Sequence, residues 1–274
     1  MPHHDDTDSK GADGWADGGP TARDHQLAAA VAEQAGSLLV ELRARLVAEG
    51  VDGDTLKGEG DRQAHLLILE LLADRCRAGD ALLSEEGADD EARLAADRVW
   101  IVDPLDGTRE FGEPPRTDWA VHVALVIGGV PVAGAVALPA LGLTLGTDPA
   151  PPAPPPAPAV PRVIVSRSRP PAAATWLATA MGADLVEMGS AGAKAMAVVR
   201  GEADVYAHSG GQYEWDSCAP VAVAAAAGLH VSRLDGSPLR YNNANPYLPD
   251  LLICRAELAA PALEALAAFA GSTT

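Results

Sequence analysis

The apolar run 99–102 ends directly in Asp103, and a second aspartate, Asp106, follows three residues later. Such a continuous apolar run predicts a strand that is covered on both faces, so the chain must build layers around it. Pro104 restricts Asp103 to an extended conformation, and segment 106–108 predicts a turn that opens a short helix. Either aspartate alone could be a turn residue or a helix cap. Two carboxylates at the end of one buried strand repel each other unless a cation lies between them.

The composition provides a large core and an acidic surface. Apolar residues make up 48% of the 274, which suits one large domain or two small ones. The net charge of −18 disfavours nucleic-acid polymers and anionic membranes as partners. Taken alone, it also disfavours a phosphate-bearing substrate. The sequence shows neither a membrane-spanning run nor a signal-peptide pattern, so we expect a cytoplasmic protein.

The chain divides into four segments. Residues 1–23 are rich in aspartate and glycine and predict a disordered acidic tail. Residues 24–148 predict an N-terminal α+β half that carries the metal ligands. Residues 149–161 hold eight of the 22 prolines and predict a stiff loop. Residues 162–274 alternate strands and helices and predict a C-terminal α/β half.

The apolar spacing also predicts where individual elements begin and end. A stripe of leucines, valines and alanines predicts a first helix from an N-cap at Asp24 to Gly50. A second helix is expected from Asp61 to Arg77. In the second half, helices are expected at 172–181, 193–199, 217–227 and 261–270, with strands between them.

Two further acidic segments stand near predicted element ends. Glu85 and Glu86 follow a short strand, and Asp216 precedes a helix. Alone, a glutamate pair is usually part of a solvated loop, and Asp216 would be an N-cap. Together with Asp103 and Asp106, they offer the oxygen ligands that Mg²⁺ prefers.

Three separated segments, Ser84-Glu85-Glu86, Asp103-Pro-Leu-Asp-Gly-Thr108 and Trp215-Asp216, resemble the inositol monophosphatase superfamily in their order. These are Mg²⁺-dependent, lithium-sensitive phosphatases that include fructose-1,6-bisphosphatase. Segment 108–111, Thr-Arg-Glu-Phe, resembles the CysQ branch, the 3′(2′),5′-bisphosphate nucleotidases, whereas inositol monophosphatases usually read Thr-Thr-Asn-Phe. Segments 56–64 and 189–194 also resemble actinobacterial CysQ proteins. The resemblance implies the layered αβαβα sandwich of this superfamily.

The resemblance implies a metal-binding role for each matched position. Glu85 corresponds to the bridging glutamate, and Asp103 and Asp106 correspond to the metal aspartates. Leu105 corresponds to the residue whose carbonyl oxygen binds metal. Asp216 corresponds to the aspartate that supports a further ion, so two or three Mg²⁺ are expected.

The resemblance also implies a catalytic pair, Asp61 and Thr108, which orients and deprotonates the attacking water. From the residues alone, Asp61 could simply cap the second helix. The implied reaction is direct attack on phosphorus by a metal-activated water, without a phospho-enzyme.

The predicted substrate contacts are less specific. Lys194 could equally be a surface lysine, and a turn or strand would explain Arg240 as well. His122 lies in a predicted strand and is expected to be structural. The full set of predicted contacts is Gly107, Thr108, Ser190, Gly192, Lys194 and Arg240.

The function that follows is hydrolysis of 3′-phosphoadenosine 5′-phosphate to AMP and phosphate. This reaction would clear a by-product of sulfate activation. Inositol-1-phosphate or fructose-1,6-bisphosphate hydrolysis is the alternative within the superfamily. A non-catalytic regulatory relative is the alternative from another class. The expected partner is a small nucleotide bisphosphate, and a homodimer is possible because relatives often dimerise.

Overall fold

The computed structural model describes residues 18–272, so residues 1–17 of the predicted tail lie outside the described residues, whereas Ala22 and Arg23, also assigned to the tail, belong to the first helix. The first helix begins at Ala22 and not at an N-cap Asp24. The backbone N–H and the hydroxyl of Thr21 both donate to the Asp24 carboxylate at 2.8 Å. Asp24 therefore closes the helix start from inside the first turn.

Seven helices and ten strands are formed by residues 18–272. The helices are α1 Ala22–Ala48, α2 Gly53–Arg75, α3 Thr108–Phe111, α4 Ala172–Met181, α5 Ala191–Val199, α6 Glu214–Ala226 and α7 Ala259–Ser272. The strands are β1 Ala81–Ser84, β2 Arg98–Asp106, β3 Ala120–Ile127, β4 Val130–Leu138, β5 Leu143–Gly146, β6 Arg162–Ser166, β7 Asp184–Met188, β8 Val205–Tyr213, β9 His230–Ser232 and β10 Tyr247–Cys254.

The strands form two five-stranded sheets. The first has the order β1-β2-β3-β4-β5, with β1 and β2 parallel and the other pairs antiparallel. The second has the order β7-β6-β8-β10-β9, in which β7, β6 and β8 are parallel and β10 is antiparallel to both neighbours.

Helices cover both faces of each sheet. Alternate residues of β2, such as Trp100 and Val102, pack against α1 and α2 on the outer face of the first sheet. Val99 and Ile101 point the other way into a core shared with α5, α6 and the second sheet. Helices α4 and α7 cover the far face of the second sheet. The predicted αβαβα sandwich is therefore confirmed.

Several predicted boundaries were wrong. Strand β2 does not stop at Asp103 but continues to Asp106 through a register shift against β3. Helix α2 begins at Gly53 because Asp52 accepts hydrogen bonds from the first-turn amides. Helix α6 begins at Glu214 and not at Ser217. The short strands β5 and β9 were not predicted.

The proline-rich segment joins β5 to β6 and contains no helix or strand. Pro151, Pro154 and Ala157 are half-buried, whereas the residues between them are exposed. That period of three is the period of a polyproline II helix with one side against the protein. The Ala157 N–H donates to Glu257 Oε1 at 2.9 Å. Within residues 18–272, no helix is both long and apolar enough to cross a membrane.

Asp204 ties three elements of the second sheet together. Its fully buried carboxylate accepts hydrogen bonds from the backbone and side chain of Arg162 at the start of β6. It also accepts a 2.6 Å bond from the buried Arg255, which follows β10. Burial favours the neutral acid, but the two arginines outweigh it and lower the pKa of Asp204 below 3.8.

We expect Asp204→Asn to lower the free energy of unfolding by about 3–5 kcal/mol, because it leaves Arg255 buried without its counter-charge. Because the pKa of Asp204 is lowered, its charge stabilises the fold at any pH above the ordinary carboxyl pKa, and this stabilisation is lost as the pH falls through the folded-state pKa. In urea unfolding, the difference in unfolding free energy between wild type and Asp204→Asn should therefore be smaller at acid than at neutral pH. Asp54→Asn, which removes an exposed ion pair with Lys57, should change little; equal losses in both variants would contradict this role.

Candidate active site

Three carboxylates from two parts of the chain meet at one end of the first sheet. Asp103 and Asp106 lie at the end of β2, and Asp216 lies in the first turn of α6. One oxygen from each lies within 4.8 Å of the others. Two of the carboxylates also accept a hydrogen bond from a nearby backbone amide. Asp103 accepts from the Leu105 N–H at 3.0 Å, and Asp216 accepts from the Tyr213 N–H at 2.7 Å.

Glu85 reaches this cluster because β1 runs parallel to β2. Ser84, the last residue of β1, pairs with Val102, so the next residue along each strand is an acidic one. The Glu85 N–H donates to the Val102 carbonyl at 3.3 Å. The charge of Glu85 raises the pKa of Asp103, because the two carboxylates lie close together.

The crowding of these groups changes their pKa values. Burial and neighbouring carboxylates raise the pKa of Glu85 and of Asp216 to about 7. Burial, Glu85 and Asp106 raise the pKa of Asp103 well above its usual range. Among the described residues, these groups form no ion pair with a lysine or arginine. The basic side chain that contacts them is the buried His122, which lies 3.3 Å from Asp106 and 3.9 Å from Asp103.

Asp106 is the exception, because α5 holds its charge. The Ser190 hydroxyl and the N–H groups of Ala191 and Gly192 all donate to its carboxylate, the last at 2.6 Å. His122 Nε2 lies 3.3 Å from Asp106 Oδ2. Burial alone would raise the pKa of Asp106, but His122 and Ser190 outweigh it and lower the pKa below its usual range.

This arrangement gives Ser190, Gly192 and Lys194 contacts other than the predicted substrate contacts. Ser190 and Gly192 lie at the site, yet their donors are directed at Asp106. Lys194 is buried and donates to the carbonyls of Gly189 and Ser190, with its ammonium 5.4 Å from the Tyr206 ring. It is neither a surface lysine nor turned toward open solvent, and burial lowers its pKa.

The predicted catalytic pair is brought together. Asp61 lies inside α2 and is therefore not its N-cap, which is Asp52. Thr108 Oγ1 lies 3.4 Å from Asp61 Oδ1 and donates to the Leu105 carbonyl at 3.0 Å. Burial and the charge of Glu86 raise the pKa of Asp61 to about 7.

Gly107 adopts a positive φ of 85° directly before α3. A Cβ at this position would lie 2.9 Å from the Ser190 Cβ, so only glycine allows this approach of α3 to α5. The prediction placed Gly107 at the site, and the structure locates it there.

Arg240 lies between the β3–β4 hairpin and the start of α6. Its side chain lies beside Gly129 of the hairpin, and the next residue, Tyr241, donates its N–H to the Gly129 carbonyl at 3.1 Å. The Arg240 carbonyl accepts a 2.9 Å hydrogen bond from the Asn243 side chain, and the Asn243 N–H donates to Glu214 at the start of α6. The substrate contact of Arg240 stays a prediction.

Sequence reasoning gave no site role to His122, which is fully buried between Asp106 and the Trp215 carbonyl. It pairs in register with Asp103. The long connection between β2 and β3 hides that register, so spacing alone could not reveal it. The glycine at position 192 is the sequence feature that relates to His122, because a Cβ at Gly192 would lie 2.0 Å from His122 Nε2.

Helix α3, which carries Thr108, is held from outside the site. Arg43 of α1 donates to the carbonyls of Glu110, Phe111 and Arg116 at 2.6–3.0 Å. The Glu110 side chain accepts a 2.7 Å bond from Arg167, which follows β6. The short helix is therefore fixed by contacts from both halves of the chain.

The donor set fits Mg²⁺. Its members are carboxylate oxygens, with the Leu105 carbonyl beside them, and hard oxygen ligands select Mg²⁺ over softer metals. The raised pKa values show that a cation would replace a repulsive arrangement with an attractive one. Asp103, Asp106, Asp216 and Glu85 are the residues that could hold it.

A buried network joins the loop that carries Glu85 to the helix start that carries Asp216. Arg93, only 1% exposed, donates to Asn242 Oδ1 at 2.7 Å and to the Asn243 carbonyl at 3.0 Å. Glu214, also 1% exposed, accepts from the N–H groups of the same two asparagines at 2.6 and 2.9 Å. We call this network the Arg93–Glu214 clamp.

The fold and the site define an α/β protein that gathers carboxylates from two chain segments into a cluster that could hold a divalent cation. Residues 22–148 and 159–267 match the inositol monophosphatase family, and the chain belongs to that family.

The curated and solved relatives agree with this membership. The 3′-phosphoadenosine 5′-phosphate phosphatase of Mycobacterium bovis is 53% identical over 242 residues, 85% of this chain and 89% of that protein. The 3′(2′),5′-bisphosphate nucleotidase CysQ of Escherichia coli K12 is 30% identical over 198 residues, 69% and 80% of the two chains. The crystal structure of CysQ from Bacteroides thetaiotaomicron is 27% identical with a TM-score of 0.70, covering 85% of this chain and 97% of that one. The protein is a phosphatase of this family.

We expect Glu214→Gln to weaken Mg²⁺ binding by about 10-fold to 100-fold, as loss of an outer hydrogen-bonding partner does at other metal sites. A glutamine has one acceptor oxygen and cannot serve both asparagine amides and the Asn243 side chain, which also donates to Glu214. Calorimetric titration of Mg²⁺ into the protein without substrate measures the affinity. Glu202→Gln, which alters an exposed pair with Arg200, is the control, and an unchanged affinity in Glu214→Gln would rule out a positioning role for the clamp.

Proposed function

We propose that this protein is an Mg²⁺-dependent phosphatase that hydrolyses 3′-phosphoadenosine 5′-phosphate to AMP and phosphate. The observation that carries the proposal is the cluster of Asp103, Asp106 and Asp216, whose basic neighbour is the buried His122 and which forms no ion pair with a lysine or arginine among the described residues. The substrate is suggested by the names of the relatives that are 53% and 30% identical. Segment 108–111 supports the nucleotide over an inositol phosphate.

Mg²⁺ would be held by the three aspartates together with Glu85 and the Leu105 carbonyl. Bound there, Mg²⁺ would supply positive charge toward the phosphate oxygens and lower the pKa of water. The carboxylates keep this charge at the strand end, where the α3 and α5 turns lie close by. A dianionic phosphate then meets a neutral to attractive site in a strongly acidic chain.

Thr108 and Asp61 are proposed to receive the proton that the attacking water loses. The Thr108 hydroxyl lies 3.4 Å from the Asp61 carboxylate, and a pKa near 7 allows Asp61 to take up a proton at neutral pH. The attack forms one P–O bond and breaks the bond between phosphorus and the 3′-oxygen. The 3′-oxygen gains a proton and leaves as part of AMP.

Lys194 and His122 are proposed to act on Asp106 and not on substrate. Lys194 fixes the carbonyls of the turn that donates to Asp106, and His122 supports the same carboxylate from the β3 side. Both would fix the orientation of the Asp106 carboxylate. Ser190 and Gly192 would do the same by donating hydrogen bonds to it.

We place the reaction in the cytoplasm, where it would clear the by-product of sulfate activation. A homodimer stays a prediction that analytical ultracentrifugation would test. Lithium inhibition also stays a prediction, carried by the family resemblance.

A phosphate-release assay on three substrates tests the proposed function. We expect 3′-phosphoadenosine 5′-phosphate to give the highest kcat/KM, above inositol-1-phosphate and fructose-1,6-bisphosphate. Chelation of divalent cations should abolish the activity, and Mg²⁺ should restore it. A clear preference for inositol-1-phosphate would overturn the substrate assignment, and no release from any of the three would favour a non-catalytic relative.

We expect Asp103→Asn to lower kcat by orders of magnitude while the fold persists, because the amide removes a charged oxygen from the centre of the cluster. Asp97→Asn makes the same chemical change at an exposed position near the other end of β2 and should leave kcat unchanged. Circular dichroism confirms the fold of both variants. Wild-type turnover in Asp103→Asn would refute the site assignment.

A further inference from the structure

Tyr213, Trp215 and Tyr247 form an aromatic cluster next to Asp216. The Tyr213 and Trp215 rings stack with centroids 4.9 Å apart and planes 7° from parallel. Tyr247 approaches Tyr213 edge-on at 5.8 Å and 83°. Antiparallel pairing of β8 with β10 places Tyr247 directly opposite Tyr213.

The exposure of this aromatic cluster is unusual for the chain. Phe, Trp and Tyr together make up only 4% of the sequence, and most of those in the described residues are packed in the cores. Tyr213 and Tyr247 are 42% and 41% exposed. The other exposed aromatic among the described residues, Trp176, packs on Phe269 and donates to the Ala265 carbonyl, so α7 accounts for its position.

The aromatic cluster is mechanically tied to the metal site. The Tyr213 N–H donates to Asp216 Oδ2 at 2.7 Å, so the strand end that carries the ring also orients the carboxylate. Tyr213 is the N-cap of α6 and contacts Asp216 directly, so a ligand whose phosphate lies at the carboxylates has its remainder close to this residue.

The Tyr247 hydroxyl fixes the second ring. It accepts a hydrogen bond from the Gly211 N–H at 3.3 Å, and Gly211 adopts a positive φ of 78° that glycine allows without strain. The ring is therefore held by backbone on one side and by Tyr213 on the other. Pre-positioned rings lose little side-chain entropy when a ligand stacks on them.

We propose that this aromatic cluster is the platform on which the purine base of the substrate stacks. The proposal rests on the proposed function, since it needs a substrate with a base. An uncharged base suits the aromatic cluster, because stacking on an aromatic face needs no positive charge from the protein.

A comparison of two substrates and two variants tests the platform. The substrates are 3′-phosphoadenosine 5′-phosphate and its abasic analogue, in which hydrogen replaces adenine. Loss of the ring in Tyr213→Ala should raise KM for the nucleotide roughly tenfold to a hundredfold, the range found when an aromatic platform for a base is removed. The abasic analogue should change less than about twofold, because it has no base to lose.

Tyr213→Phe is the matched variant, because it keeps the ring and loses only the hydroxyl. It should retain nearly the wild-type KM for both substrates. Thermal unfolding of both variants checks that the fold persists, and the backbone N–H that orients Asp216 is present in both. Quenching of tryptophan fluorescence by added AMP gives a readout without turnover, and it should weaken in Tyr213→Ala alone.

The outcomes separate the platform from the function. Equal losses on the nucleotide and the abasic analogue would show that the aromatic cluster is structural, and the platform would then be wrong while the phosphatase activity stands. Wild-type protein that does not hydrolyse the nucleotide would overturn the proposed function, and the platform with it. A selective loss on the nucleotide, with AMP quenching reduced, supports both.

Discussion

The structure depends on how the charge of Asp106 is held. Its carboxylate stands at the end of a central strand of the first sheet, yet its hydrogen-bond donors come from the N-terminal turn of α5, in the other half of the chain. A carboxylate this deeply buried requires such partners. The contact therefore links the end of β2 to α5, while the apolar core shared with α5 and α6 lies between the two sheets. Gly192 has no side chain because His122 occupies the space where a Cβ would lie.

The order and chemistry of the acidic segments could be predicted from sequence because each one is local. Glu85, Asp103, Asp106 and Asp216 each follow or precede a recognisable element, and the parallel pairing of β1 with β2 then places two of them side by side. Layers around β2 could be predicted for the same reason, since the run 99–102 has to be covered on both faces, whereas the αβαβα order was implied by the family resemblance.

The sequence could not give the relations that depend on tertiary register. It does not tell, for example, that the loop of Arg240 passes beside the β3–β4 hairpin. His122 lies opposite Asp103 only because of a strand register that a long connection conceals. Lys194 looked like a surface or substrate lysine, and nothing in the spacing of its helix shows that the ammonium turns back to the preceding carbonyls. Local pattern predicts elements, whereas the direction of a side chain is set by what packs beside it.

The net charge of −18 gives the wrong sign for the site if side chains are counted alone. Four of the negative charges belong to carboxylates that crowd together, and burial and neighbouring negative charge raise the pKa of three of them, Glu85, Asp103 and Asp216; such an arrangement favours cation binding. The phosphate of a substrate would then be attracted through the cation and not through lysines or arginines. The aromatic cluster fits the same logic. A site without free lysines or arginines among the described residues can still recognise the uncharged base of a nucleotide, because stacking depends on ring area and not on protein charge.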